Sequence, residues 1–562
     1  MTLCKSLLLE FRRRDKGQMT TVLPLIAFPL LYAETHYRFK YFFSFLKTSE
    51  PEILADLPHR LEPDTSLPIL LLIKDSDKYP VALAKVKVSI MKEGEVLQTI
   101  NELFSSSNTI SQALWWKVFH VQFKNEIKDI YGDLEIDVEF IYTVGGKERT
   151  SKNDNHRTSS KRPFRVYRSE HPLPSFKGWV LGDTHTHSSY TSDQVEFGSP
   201  IEASVALSKA IGLSFFCVTD HSYDLDDKVD NYLINDPGVP KWWSLQREID
   251  SLNSHGDGFV VIRGEEVSCF NSIKRNVHLL LFGTKEFFAG SGDSAERWFR
   301  TTAEHTIPDV LATKEVGVAA YAGHPTEPTP FFQWLLIRRG EWSLEDMSEN
   351  GLSGLQILNG EVSAAFQKGL RCWIELLLRG RRIMIAAGND AHGNFNRFRQ
   401  IGIPFFWIRE SPQQLFGKMR TALQLGSLDE KSLIESLRLG RSVITNGPMV
   451  IFQIKNEAGE IAMVGGKISG SRLRIEVEGA TTKEFGAFMR IEIVLGKIGG
   501  GNELIFLEKR LSDDLAVKFS IDFEGPSPFI PSYLRVQGFT THGKKSNDVG
   551  FCYTNPIWIE RQ

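Results

Sequence analysis

Histidines and carboxylates gathered at the ends of apolar runs have the residue types and the spacing of metal ligands. Of the 14 histidines in this chain of 562 residues, two stand one residue apart in WVLGDTHTHSSYTSD (Trp179–Asp193), at the end of a strand-like run. Side chains on a strand repeat with period two, so His185 and His187 point the same way. Asp193 follows in the loop. The next runs end in Asp220-His221 and Glu265-Glu266. VHLLLFG carries His278, GVAAYAGHP carries His324, and RIMIAAGNDAH closes with Asp390 and His392. Each motif has an ordinary use: TDH can cap a helix, GHP can turn ahead of a proline, a Glu pair can face water. Their common position at run ends is what points to one shared site, and the other eight histidines lack it. Imidazoles with carboxylates suit Zn, Mn or Fe. The five cysteines are scattered, with no C-x-x-C pair, which excludes a cysteine zinc knuckle and argues against a disulfide scaffold. Neither a G-x-S-x-G nor a P-loop sequence is present.

The elements that must position these residues lie in the middle of the chain. Apolar runs there alternate with helical patterns such as SPIEASVALSKAIG, WWSLQREIDSLNS and FQKGLRCWIELLLRG. Near-continuous apolar strands separated by helices predict a parallel sheet, and seven such units predict a closed or nearly closed α/β barrel. The C-terminal ends of its strands would share one mouth. KVKVSI (Lys85–Ile90) and LEIDVEF (Leu134–Phe140) instead alternate apolar and polar residues, as do RLRIEVEG (Arg472–Gly479) and AVKFSIDF (Ala516–Phe523). A β-sandwich-like domain is therefore expected on each side. The divisions are 1–59, an N-terminal segment; 60–172, a β-domain; 173–444, the barrel; and 445–562, a second β-domain.

The ordered motifs H-x-H, T-D-H, G-x-E, isolated histidines and a closing D-A-H resemble the PHP (polymerase and histidinol phosphatase) superfamily. SLRLGRSVITNGP (Ser436–Pro448) and YTNPIWIE resemble its carbaryl-hydrolase-like branch. The resemblance implies a distorted (β/α)7 TIM-like barrel with two or three divalent ions and hydrolysis of phosphoesters. It implies a first metal held by His185, His187, Glu266 and Asp390. A second would share Glu266 and add His278 and His324, and a third would use Asp193, His221 and His392. Glu266 is preferred to Glu265 because Gly264 stands two residues before it. Many members have Gly after the loop aspartate; here Gln194 follows Asp193.

Two such ions clamp the attacking and leaving oxygens of a phosphate ester and supply an activated hydroxide. Asp220 is expected to orient His221 in this catalysis. Among basic residues near the run ends (Arg263 included), Arg397, Lys274 and Arg275 are the candidates for binding a substrate phosphate. The leading expectation is a phosphoesterase acting on a small phosphate ester or nucleotide. A carboxylic, carbamate or amide ester hydrolase and a non-catalytic binding protein are the alternatives. A net charge of −3 gives no support to a nucleic-acid partner. The apolar stretch in the first 35 residues is interrupted by Pro24 and Pro29 and has no clear cleavage site, so a cytoplasmic protein without a membrane partner is expected.

Overall fold

In the computed structural model, residues 50–561 are described apart from 105–108, 156–160, 192–197, 230, 293–300, 398–399, 404–405, 410–413, 525–529 and 543–548. The N-terminal reading and Asp193 with Gln194 thus lie outside the described residues. Residues 52–168 fold as two sheets on one core. In Val81–Lys92 and Gly132–Val144 alternate side chains are buried, and the strands pair antiparallel with Val88 opposite Val138 and Ile90 opposite Ile136. Glu52–Asp56 pairs with Leu67–Lys74, so this sheet begins ahead of residue 60.

Seven neighbouring strands form this part of the sheet, and all but β6 carry or lead into predicted ligands: β1 (Trp179–His187), β2 (Phe215–Val218), β3 (Val260–Phe270), β4 (Asn276–Phe282), β5 (Ala319–Ala322), β6 (Gly354–Asn359) and β7 (Met384–Gly388). They lie side by side in that order. Burial on both faces explains their continuous apolar character. Phe215, Ile262, Leu280, Tyr321 and Ala386 meet in one cluster.

A (β/α)7 TIM-like barrel is not what they form, and the PHP-type barrel expectation is corrected here. β4 runs antiparallel to β3 and to β5. Only NSIKR, residues 271–275, separates β3 from β4, too short for the crossover that a parallel pair requires. The sheet also does not close. The N-terminal half of β1 pairs antiparallel with β8 (Arg420–Gln424), which continues into β9 (Ser442–Thr445) and then the C-terminal strands. Thirteen strands follow one path in this open, curled sheet. With that part of the edge taken, the end of β1 pairs in parallel with the residues after β7, Thr186 opposite Ala391 and His187 opposite His392, and β7 itself reaches β1 through isolated bonds. The Thr184 hydroxyl donates to the Ala387 carbonyl at 2.9 Å, and the Asp390 N–H donates to the His185 carbonyl at 2.9 Å. Gly388 permits the approach, because a Cβ there would stand 2.6 Å from His185 Cβ. The C-terminal strands share the central sheet, and a four-stranded sheet built on Met449–Asn456 and Arg472–Ala480 packs with them. No helix among the described residues is long and apolar enough to cross a membrane.

Candidate metal centre

The same end of six strands supplies the cluster. His185 and His187 finish β1; His221 follows β2; His324 follows β5; Asp390 and His392 follow β7. Glu266 lies inside β3. Because β4 runs backwards, His278, near its start, falls opposite Ser268 at the end of β3 and joins the others. The antiparallel strand thus contributes its beginning where its neighbours contribute their ends.

Glu266 is the hub. Its Oε2 lies 3.3 Å from His185 Nε2, 3.5 Å from His187 Nε2 and 3.0 Å from His221 Nδ1. Its Oε1 lies 2.5 Å from His278 Nδ1 and 3.2 Å from His324 Nε2. Five imidazole nitrogens therefore surround one fully buried carboxylate, divided between its two oxygens. Asp390 Oδ1 stands 3.1 Å from His187 Nε2 and 3.4 Å from His185 Nε2. His185 Nε2 and His187 Nε2 face each other at 3.2 Å, where at most one proton can lie between two nitrogens. The rings of His187 and His392 stack at 4.1 Å.

Among the described residues, three groups have donor atoms within 4.8 Å of one another: His185, His187, Glu266 and Asp390; His221, Glu266 and His278; and His187, His221 and His392. The first is the set assigned to the first metal. The other two differ from the expected division. His221 serves both the Glu266 side and the His392 side, and His187 belongs to two groups. Imidazoles and carboxylates in this density, without cysteine, fit divalent ions of the Zn, Mn or Fe type.

Electrostatics follow from packing these groups in a dry place. Burial disfavours charge on His185, but the Glu266 and Asp390 carboxylates outweigh it and raise the imidazole to about 9. Burial and the neighbouring His392 and His221 push His187 well down. Burial would raise Glu266, yet His278, His185 and His221 hold it well below the usual carboxylate range. Asp390 is held low in the same way, chiefly by His185.

Backbone strain and buried polar side chains fix the cluster. His324 and Asp390 have positive φ, 29° and 52°, a conformation that costs a non-glycine residue energy and persists where surroundings impose it. The Asn389 N–H and Nδ2 donate to Asp183, a buried acid that burial raises to about 6, so the turn carrying Asp390 is tied to β1. Gln356, fully buried on β6, accepts at Oε1 from His185 Nδ1 (2.8 Å) and from the His324 N–H (3.3 Å). Since that oxygen only accepts, Nδ1 carries the hydrogen and His185 Nε2 is the atom aimed at Glu266. Arg339 Nη1 lies 2.6 Å from His278 Nε2. Sequence reasoning missed both residues. Gln356 had a signal, a lone amide inside the apolar strand GLQILN. Arg339, in a loop, had none.

The other expected residues are placed as follows. Asp220 acts on the loop after His187. Its oxygens accept from the Ser188 N–H (2.7 Å), the Ser188 hydroxyl (2.5 Å) and the Thr191 hydroxyl (2.8 Å), holding the loop after His187. Arg397 is drawn to the N-terminal sheet instead of the cluster: its N–H donates to Asp56 at 3.0 Å, an acid that burial raises to about 6 against the opposing charge of Arg397. Arg263 is bound to Glu430, Gln246 and Asp250. Lys274 is exposed and Arg275 half-buried in the turn before β4, with Arg275 Nη1 donating to the Trp334 carbonyl at 2.7 Å.

No protein-family model and no curated protein matches the chain. Among solved structures, a calcium-binding mutant of Bacteroides uniformis beta-glucuronidase 2 is 10% identical, with 91% of this chain and 61% of that chain covered and a TM-score of 0.19. The beta-D-mannosidase of Dictyoglomus thermophilum is 9% identical, with 90% and 66% covered and a TM-score of 0.24. The chain spans about three fifths of the first of these. At such scores the likeness bears on neither fold nor chemistry.

Proposed function

We propose that the chain is a metal-dependent phosphoesterase acting on a small phosphate ester or nucleotide. The observation that carries this reading is Glu266, one buried carboxylate met on its two oxygens by five imidazoles. Divalent cations bound by the imidazoles and the carboxylate would repay the cost of burying so many polar groups together. When bound, two or three ions of the Zn, Mn or Fe type supply Lewis acidity and lower the pKa of water. The chain's own residues do the rest. His185, His187, Glu266 and Asp390 hold one position, and His221 and His278 share Glu266 at another. His392 draws on His187 and His221. Gln356 sets the tautomer of His185. Asp220 keeps the loop after His187 in place. Arg339 brings a guanidinium to the edge of the cluster, where it can take a phosphate oxygen. Cations beside the cluster favour a phosphate ester over a neutral carbonyl ester as the substrate.

The test is reconstitution of the purified chain with Zn, Mn or Fe, followed by turnover of nitrophenyl phosphate, bis-nitrophenyl phosphate and nitrophenyl acetate. Two or three ions per chain and metal-dependent phosphate release are expected. Metal uptake near zero would overturn the centre, and turnover of the acetate alone would replace the phosphoesterase with a carboxylic ester hydrolase.

A further inference from the structure

A cavity of about 390 Å³ is lined by Ile273, Lys274, Arg275, Trp334, Leu335 and Arg338. We propose that it is a substrate subsite for a second anionic group, so that the preferred substrates are small molecules carrying a phosphate or similar anion in addition to the ester that is cleaved. This inference rests on the phosphoesterase reading.

The charge argument comes first. Three cations line one concavity whose wall has no carboxylate, and among the described residues none of the three pairs with one. Like charges gathered without a counterion repel, and a bound anion relieves that repulsion. One of the cations is also held in place. The Arg275 guanidinium lies 4.2 Å from the centre of the Trp334 ring while Nη1 donates to the Trp334 carbonyl, so little freedom is left to lose on binding. Lys274 and Arg338 both have left-handed backbone, with φ of 57° and 54°. Strain of this kind at non-glycine residues collects at ligand sites.

The second argument is connection. Asn276, fully buried at the start of β4, donates from Nδ2 to the Ile337 carbonyl at 2.8 Å and from its N–H to the Arg338 carbonyl at 2.9 Å. That clamps the cation-bearing loop to the strand whose third residue is His278. Arg338 lines the cavity, and its neighbour Arg339 contacts His278 at 2.6 Å. Arg275, which lines the cavity, precedes His278 by three positions, a span of at most about 10 Å. One short carbon skeleton with two anionic groups can bridge such a span. Ile273, 74% exposed, and Leu335, 54% exposed, offer apolar surface to that skeleton.

The experiment uses the metal-reconstituted full chain and alkanediol bisphosphates of two to six carbons, each compared with the alkyl monophosphate of equal length. We expect kcat/KM for the best bisphosphate to exceed that of its monophosphate at least ten-fold. In Lys274→Gly/Arg338→Gly, where glycine accepts the left-handed backbone, that ratio should fall at least ten-fold. Lys274→Gln, a change at an exposed side chain, should lower it in the same direction. An unchanged ratio in both variants overturns the subsite. Titration of an alkane bisphosphonate into the same proteins separates the two readings. Weaker binding in the variants without turnover of any phosphate ester supports the subsite and sinks the phosphoesterase. Turnover with equal binding sinks the subsite alone. Displacement of the bisphosphonate by a short single-stranded DNA at lower concentration overturns the small-molecule assignment.

Discussion

Glu265 and Glu266 are adjacent on β3 and both fully buried, yet they have opposite states. Alternation along the strand sends them to opposite faces. Glu266 meets five imidazoles and is held far down. Glu265 accepts from the Ser222 hydroxyl at 2.9 Å and the Phe288 N–H at 3.2 Å, and burial pushes it well above the ordinary carboxylate range. Burial is equal on the two faces, so partners decide the charge. The imidazoles favour the charged form of Glu266, and burial favours the neutral form of Glu265.

The largest effect that would break this contrast is at Glu266. Glu266→Gln keeps the size and removes the charge, and should cost at least one metal per chain by elemental analysis and on the order of 100-fold or more in phosphate release. Retention of both would make Glu266 an ordinary buried acid.

Next comes the support of the anionic face. Asp220→Ala leaves the Ser188 N–H and two hydroxyls without their acceptor. It should lower stability by about 1–3 kcal/mol in urea unfolding and weaken metal retention together. A stability loss with full metal retention would confine Asp220 to loop packing. Gln356→Leu frees the His185 tautomer and should weaken metal binding about 10–100-fold in a competition with a chelator. An unchanged affinity would show that other contacts set His185.

The smallest change is expected on the neutral face. Glu265→Gln should keep full metal content and remain within about 1 kcal/mol of the parent at low pH. The sign of its pH dependence is fixed by the raised value. Whatever Glu265 contributes is fully present below about 4.5 and is lost as pH rises toward its folded-state value. Melting curves of the parent and Glu265→Gln should therefore diverge in favour of the glutamine as pH rises above that range. Parallel curves would mean that Glu265 is ionised like its neighbour.

That these histidines and carboxylates gather was legible in the sequence, because short-range rules place most of them. Period two puts His185 and His187 on one face, and the G-x-E pattern of the PHP resemblance singles out Glu266 over Glu265. The ends of apolar runs are the ends of strands. The direction of β4 was legible too, had the five-residue spacer been weighed against the length a parallel crossover needs. Three things needed the tertiary structure. Whether the sheet closes depends on which strand takes the free edge of β1, and β8 does so from more than 200 residues away. Which cations approach the cluster depends on loop placement: Arg339 reaches it, whereas Arg397, only five residues beyond His392, turns to Asp56. How His187 and His221 are divided among the metal groups depends on ångström-scale packing of five rings around one carboxylate. Residue types and their order along the chain set what chemistry can gather there. Pairing of distant edges and loops decides its geometry, because those contacts gain energy only once the whole sheet has formed.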